Sequence, residues 1–102
     1  MKAYISGPIT GTTDYMKRFK EAEEELRNEG YSAVNPAKVN AELPEDTTYQ
    51  EYMAMAFKML DMCDFIYMTK GWQQSRGCNA ELAHAIEMGI TIVFQGGSHA
   101  KI

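Results

Sequence analysis

The sequence lacks the features that mark three specialised classes of protein. Its 102 residues include only two cysteines, Cys63 and Cys78, and these have no short metal-ligand spacing. No apolar run approaches the roughly 18 residues that a transmembrane helix needs. Internal repeats and low-complexity segments are also missing. A zinc-bound scaffold, a membrane-spanning protein and a repeat protein are therefore excluded, and the length predicts one domain over residues 1–102.

The scarcity of cysteine also bears on the cellular compartment. Cys63 and Cys78 could form one disulfide, but the eight methionines favour a reducing environment. The first strand-like segment begins at residue 2, which leaves no room for a leader ahead of it. We therefore expect a cytoplasmic protein.

An excess of positive charge is lacking as well. Lysine and arginine number 10 against 14 acidic residues, for a net charge of −4. This balance argues against polymeric nucleic acid or an anionic membrane as a partner. A small phosphorylated ligand remains open, because helix N-termini and loop amides bind phosphate without general basicity. Apolar residues make up 45% of the chain, which excludes a disordered protein.

Strand-like and helix-like segments alternate along the whole chain. Short apolar runs bounded by turn residues indicate strands, and apolar residues at three- and four-residue spacing indicate helices. The segment 37–48 is expected to be a loop with at most a short helical turn, and 95–102 a loose tail. The strands are predicted at 2–6, 31–36, 64–68 and 90–94, and the helices at 14–30, 49–63 and 78–89.

This order predicts an α/β fold. Crossovers of a dozen residues or more require parallel strands, with helices on both faces of the sheet. We expect a single-domain, flavodoxin- or Rossmann-like three-layer α-β-α sandwich with a parallel sheet of four to five strands. Ligands bind such sheets beyond the carboxyl ends of the strands. Asp61 and Asp64 should lie at the opposite edge, and Glu81 at the ligand edge.

Two features at the predicted ligand edge have both a structural and a functional interpretation. The loop 6–13, "SGPITGTT", could hold a phosphate through its amides, or could be an ordinary tight connection. Glu81 is expected near the first turn of its helix, where an acid could simply favour the helix dipole. Alternatively, its carboxylate faces a ligand and carries out chemistry.

The remaining candidate residues have structural interpretations, and for two of them a role in ligand binding is an alternative. Trp72 could stack on a flat ring or cover the core, and Ser75 could cap its helix or bind phosphate. His84 has no visible partner and is expected at the surface or at the boundary of the core. The methionine-rich face of 53–60 is expected in the core, and "EAEEE" at 21–25 should be a solvated helix face.

Several segments together resemble the nucleoside 2-deoxyribosyltransferase-like superfamily, and in particular its small uncharacterised branch found in phages and bacteria. The resemblance extends from residue 2 to about residue 95. It rests on "YISGPITG" at 4–11, "NP" at 35–36, "CDFIYMTKGWQQSRGCNAELAHA" at 63–85 and the final "ITIVF".

The resemblance implies N-glycosidic chemistry. In the characterised enzymes, a glutamate on this helix attacks C1′ of a nucleoside or nucleoside 5′-monophosphate, and water or a second base completes the reaction. Glu81 matches this nucleophile, and Tyr4 matches a tyrosine near the sugar. The resemblance also implies that the protein is a homodimer or a higher homo-oligomer, as related enzymes are. It further implies a set of substrate-binding residues. That set comprises Ser6, Gly7, Thr10, Gly11, Asn35, Trp72, Ser75 and Gly77.

Two departures from the family pattern affect this expectation. The family carries an aspartate on the helix before the third strand, where this chain has Ala56. Asp46 or Glu51 could reach the crevice in its place, but no pattern locates either of them. Thr10 stands where nucleotide-specific relatives can have arginine, so phosphate binding would depend on amides, hydroxyls, and Arg76 or Lys70.

Two functions from different classes therefore remain. The first is an N-glycosidase or deoxyribosyltransferase with Glu81 as nucleophile. The second is a module that binds a nucleotide or an ADP-ribose-like ligand without turnover, which the loss of the acid at Ala56 favours. A flavodoxin-type signalling or flavin domain fits less well, because no acidic cluster or flavin-binding loop is evident. Neither a metal nor an organic cofactor is expected.

Overall fold

A computed structural model of the chain describes residues 1–96. This part of the chain forms four strands, four α-helices and one short 3₁₀ turn at Trp72–Gln74, with at least one helix between consecutive strands. The strands are β1 (Lys2–Ser6), β2 (Ser32–Val34), β3 (Phe65–Met68) and β4 (Thr91–Phe94). The helices are α1 (Tyr15–Asn28), α2 (Pro36–Ala41), α3 (Tyr49–Asp61) and α4 (Arg76–Met88).

The sheet confirms the predicted α/β class and has the lower of the two expected strand numbers. All pairings are parallel, in the order β2-β1-β3-β4. β2 and β3 therefore lie on opposite sides of β1, and the carboxyl ends of β1 and β3 form the switch point at which such folds bind ligands. Asp64, which accepts a hydrogen bond of 2.7 Å from the Lys2 backbone N–H, lies at the opposite edge as expected.

The alternation of side chains along the strands creates a core on each face of the sheet. On one face, Ala3 and Ile5 of β1 pack with Phe19, Ala22 and Leu26 of α1. The core on the other face combines residues of β1, β3 and β4 with the inner sides of α3 and α4, including Tyr4, Ala56, Leu60, Ile66, Cys78, Ala85 and Ile92. This second core lies below the ligand edge.

Helix capping explains the main differences from the predicted boundaries. Asn35 accepts hydrogen bonds from the Ala37 and Lys38 backbone N–H groups and Pro36 occupies the first helical position, so the predicted strand 31–36 ends early and α2 begins. Ser75 accepts from the Cys78 N–H, and α4 therefore begins at Arg76 rather than at residue 78.

Two expectations for polar residues were wrong. Glu23 is buried, because Asn35 donates to it at 3.1 Å and the Lys38 and Arg27 side chains pair with it at 3.1 and 2.5 Å. His84 does have a partner: its Nε2 lies 2.6 Å from Asp61, and its ring stacks on Phe57.

Both cysteines are buried and free. No helix within residues 1–96 is both long and apolar enough to cross a membrane. The expected loose tail, 95–102, falls largely outside the described residues.

Candidate active site

The candidate site is a cavity of about 680 Å³ at the carboxyl edge of the sheet. This volume lies within the range of small-molecule sites. Its walls come from the loop after β1 and from all four helices, and five aromatic rings line it: Tyr4, Tyr15, Phe19, Tyr49 and Tyr52.

Glu81 contributes the only carboxylate among the described residues that line this cavity. It lies in the second turn of α4, not near the first, so the helix dipole does not account for an acid here. The Ser6 hydroxyl donates to Oε1 at 2.7 Å, and the Tyr4 hydroxyl donates to Oε2. Both carboxylate oxygens are therefore held by hydroxyl groups of β1.

The local structure explains why these three side chains meet. Tyr4 and Ser6 are two residues apart on β1, so both side chains point to the same face of the sheet, the face that α4 covers. Tyr4, Ser6 and Glu81 are 0%, 1% and 8% exposed, which removes the carboxylate from bulk water. The carboxylate is thus fixed in position at the edge of the cavity.

Burial changes the titration of this group. It raises the pKa of Glu81 from 4.5 to about 7, and the hydrogen bonds from Tyr4 and Ser6 oppose the shift by stabilising the ionised form. The pKa of Tyr4 is raised well above 10.0, first by burial and then by the neighbouring Glu81 charge. Near neutral pH, therefore, Tyr4 is a neutral donor and Glu81 can change its charge.

The positively charged side of the site consists of one residue. Arg76, at the start of α4, is the only cationic side chain that lines the cavity among the described residues. Its guanidinium lies 4.5 Å from the centre of the Tyr49 ring, and both residues are exposed at the rim. Lys70, the other predicted phosphate ligand, lines a separate depression of about 240 Å³.

Ala56, where the resemblance led us to expect an aspartate, also lines the cavity. Neither of the proposed substitutes, Asp46 and Glu51, lines it. Glu51 is instead exposed and completes a capping box with Thr48 at the start of α3. Within residues 1–96, no second acid faces Glu81 across the cavity.

The structure brings some of the predicted site residues together and leaves others apart. Tyr4, Gly7, Thr10, Ser75, Gly77 and Glu81 line the cavity, and Ser6 contacts it through Glu81. Three predicted residues, Gly11, Asn35 and Trp72, do not line it. Asn35 caps α2, and Trp72 packs against Phe94 at 5.7 Å between ring centres. The region around Ser98, expected to complete a neighbouring site, lies outside the described residues.

Sequence reasoning missed several cavity residues on α2 and α3. Tyr49, Tyr52 and Met53 were missed, and together with the expected Ala56 they follow the i, i+3, i+4, i+7 spacing of one helix face, so the periodicity of α3 carried the signal. Asn40, on a helix expected to be a loop, had no such signal. Its side-chain carbonyl oxygen is buried at the cavity and has no hydrogen-bond partner within the described structure. No group of three metal-ligating side chains occurs within residues 1–96.

Comparison with known proteins identifies the family and the fold. Residues 1–94 match the model of a domain family of unknown function, DUF4406, and the chain belongs to that family. A search of curated protein sequences gives no match. Among solved structures, the chain is similar to a 2-deoxyribosyltransferase of the psychrotolerant bacterium Bacillus psychrosaccharolyticus, described as a biocatalyst for nucleoside synthesis.

That similarity is one of fold. The TM-score is 0.68 at 17% sequence identity, over 92% of this chain and 71% of the other. The chain therefore has a nucleoside 2-deoxyribosyltransferase-like fold, as its sequence motifs led us to expect.

Proposed function

We propose that this protein is an N-glycosidase or deoxyribosyltransferase that acts on a nucleoside or nucleoside 5′-monophosphate. The observation that carries the proposal is the Glu81 carboxylate, which is buried at the cavity and held on both oxygens by Tyr4 and Ser6. The likeness in fold to a 2-deoxyribosyltransferase supports the class of reaction. A fixed, desolvated carboxylate is suited to nucleophilic attack on an electrophilic sugar carbon.

The proposed reaction has two steps. One Glu81 oxygen bonds to C1′ while the C1′–N bond breaks and its electron pair leaves with the base. Water or a second base then bonds to C1′ and gives up one proton, which balances the proton taken up by the departed base, and the ester electrons return to the Glu81 carboxylate. The Tyr4 and Ser6 hydroxyls orient the carboxylate in the free protein and receive it again after the second step.

The remaining lining residues suggest how the substrate is bound. Tyr15, Tyr49 and Tyr52 offer ring faces and edges to a flat base, and the Gly7–Thr10 loop lies beside the sugar position next to Glu81. Arg76 lies at the rim, where it can pair with a 5′-phosphate that remains partly solvated. We also propose the predicted homodimeric or higher assembly and cytoplasmic location, which light scattering and fractionation would test.

The test is a panel of ribo- and 2′-deoxynucleosides and their 5′-monophosphates, with and without an acceptor base, and free base measured by chromatography. Glu81→Gln should abolish base release. Glu87→Gln is the matched control, because Glu87 lies on the same helix but is exposed, and it should keep full activity. A glycosyl adduct mapped to Glu81 by mass spectrometry would establish the covalent step. Equal base release by Glu81→Gln would refute the assignment.

A second candidate function is ligand binding in the same cavity without a chemical reaction. The presence of Ala56 on the cavity wall, with Glu81 as the only described carboxylate there, favours a nucleotide- or ADP-ribose-binding module. This alternative predicts thermal stabilisation by one member of the panel, or by ADP-ribose, without any base release. Stabilisation accompanied by Glu81-dependent turnover would exclude it.

A further inference from the structure

We propose that the preferred substrate of this site is a nucleotide whose base is a cation joined to the sugar through a positively charged ring nitrogen. Alkylated purine and pyridinium nucleotides belong to this chemical class. The inference rests on the proposed function and specifies its substrate class. It follows from the combination of groups that line the cavity and from the way each leaving group accepts the electrons of the glycosidic bond.

A neutral base leaves with an extra electron pair and needs a proton from the enzyme. A positioned acid supplies such a proton and contributes about 10²–10⁴-fold in rate. The cavity has no histidine among its described lining residues, and its one carboxylate is the nucleophile itself. The guanidinium of Arg76 is a permanent cation and does not act as an acid.

The other acidic protons of the cavity belong to groups that are poor proton donors to a leaving base. The Tyr4 hydroxyl already donates to Glu81, and burial together with the Glu81 charge raises its pKa well above 10.0. The Cys78 thiol is buried, and burial raises its pKa as well. Tyr15, Tyr49 and Tyr52 offer phenols, which are far weaker acids than a carboxylic acid.

A cationic base removes the need for a proton donor. When the C1′–N bond breaks, its electron pair neutralises the positive ring nitrogen, and the base departs as a neutral molecule. Glu81 gains the bond to C1′ at the same time. Water later bonds to C1′, the electrons of the ester bond return to the Glu81 carboxylate, and the proton that water loses passes to this carboxylate and then to solvent. Both steps balance with the groups that this chain supplies.

The same cavity also has the features that bind an organic cation. The Glu81 carboxylate attracts positive charge, and the lining aromatic rings offer π-faces, which bind cations within about 6 Å. One of these rings, Tyr49, already has the guanidinium of Arg76 against it at 4.5 Å. Arg76 at the rim would face the 5′-phosphate instead.

The first experiment compares guanosine 5′-monophosphate with its 7-methyl derivative, at a pH at which the methylated base is a cation. Nicotinamide mononucleotide serves as a second cationic probe, and 2′-deoxy forms are included. Each enzymatic rate is divided by the uncatalysed rate of the same compound. We expect the acceleration to be on the order of 10²-fold or more greater for the cationic member, and to disappear in Glu81→Gln.

The outcomes separate this inference from the function on which it rests. Equal acceleration for the neutral and methylated nucleotides, both dependent on Glu81, overturns the inference and leaves the N-glycosidase intact. The absence of Glu81-dependent release from every compound overturns both. Loss of neutral-base turnover in His99→Gln would locate an acid beyond residue 96 and would also overturn the inference.

A gain-of-function variant gives an independent test. Ala56→Asp places a carboxylic acid on the cavity wall, and Ala56→Asn is its match in size without the acidic proton. Relative to the asparagine variant, the aspartate variant should raise the acceleration for guanosine 5′-monophosphate at least ~10-fold more than the acceleration for the methylated nucleotide. Equal gains for both substrates would contradict the inference. Because Ala56 is buried, circular dichroism should first show that both variants are folded.

Binding of an unreactive cation provides a readout that does not depend on turnover. The 1-methylnicotinamide cation, methylated on the ring nitrogen, carries the pyridinium charge of nicotinamide mononucleotide but has no glycosidic bond. By calorimetry it should bind at least ~10-fold more tightly than neutral nicotinamide, and Glu81→Gln should abolish the difference. Equal affinity for the two compounds would contradict the cation preference.

Discussion

Replacing Glu81 by glutamine should change how the stability of the fold depends on pH. The pKa of Glu81 is 4.5 in an ordinary environment and about 7 in the folded protein, mainly because of burial. Each pKa unit corresponds to about 1.4 kcal/mol, so ionising this group in the folded state costs about 3 kcal/mol. A glutamine of the same shape carries no such cost.

The sign of the effect follows from which state binds the proton more tightly. The folded state does so, because its pKa is the higher one. The stabilising effect of the proton is therefore fully present below pH 4.5 and is lost as the pH rises to about 7. Above that value, both states are ionised and the contribution is constant.

Urea denaturation across this pH range measures the effect as a difference between two proteins. The free energy of unfolding of the wild type should fall, relative to that of Glu81→Gln, by about 3 kcal/mol between pH 4.5 and values above 7. The difference cancels all other titrating groups, and Glu87→Gln should show no such trend, because Glu87 is exposed. A wild-type-minus-variant difference that stays within about 0.5 kcal/mol over the whole range would refute the burial argument.

Three further predictions concern neighbouring contacts. Tyr4→Phe removes a hydrogen bond that lowers the pKa of Glu81, so this pKa should rise further. Because the proposed reaction needs ionised Glu81, the acidic side of the pH–activity profile should shift upward by about one pH unit, and an unshifted profile would contradict this. Glu23→Ala leaves Asn35 without its buried acceptor and should destabilise the fold by about 1–3 kcal/mol in urea denaturation, whereas a loss below ~0.5 kcal/mol would mean that the cluster is only a surface feature. A methyl group at Gly7 would lie 2.6 Å from the Thr69 hydroxyl, whereas one at Gly77 meets nothing closer than 3.8 Å. Gly7→Ala should therefore lower stability by about 1–3 kcal/mol and Gly77→Ala should not, and equal effects in thermal denaturation would contradict the steric argument.

Hydrophobic periodicity was sufficient to predict the fold, because each layer depends on a repeating pattern of several residues. The alternating faces of β1 and the helical spacing of α3 are such patterns. Boundaries depend instead on single capping residues, which compete with the preceding element. Pro36 can end a strand or begin a helix, and the side-chain hydrogen bonds of Asn35 decide for the helix.

Errors at single polar residues have the same origin. Glu23 reads as one of several acids in "EAEEE", although its i+4 spacing from Phe19 places it on the apolar face of α1 and separates it from Glu21 and Glu24. The groups that pair with it, Asn35 and Lys38, come from α2 and its cap, a segment expected as a loop with at most a short helical turn. A residue's environment is therefore no more predictable than the least predictable element that packs on it.

The edge at which Glu81 lies was predictable, because a parallel sheet fixes which ends of the helices face the ligand. Its hydroxyl partners could have been predicted from the sequence, since Tyr4 and Ser6 share a face of β1 through the two-residue period of a strand. The burial that raises its pKa could not be read from the sequence, because it results from side chains of three separate elements converging on one point.

Ala56 connects that burial with the chemistry. It belongs to the same core cluster as Tyr4 and Cys78 and lines the same cavity as Glu81. A second carboxylate here would be buried beside the first, and two like charges in one desolvated site raise the pKa of at least one of them. With alanine, the hydrogen-bond partners of Glu81 within residues 1–96 are hydroxyl groups only, and Glu81 can ionise near neutral pH. In the proposed reaction, alanine at this position would therefore favour the nucleophile at the expense of a general acid from the described residues, an exchange that works only for a base that already carries its positive charge.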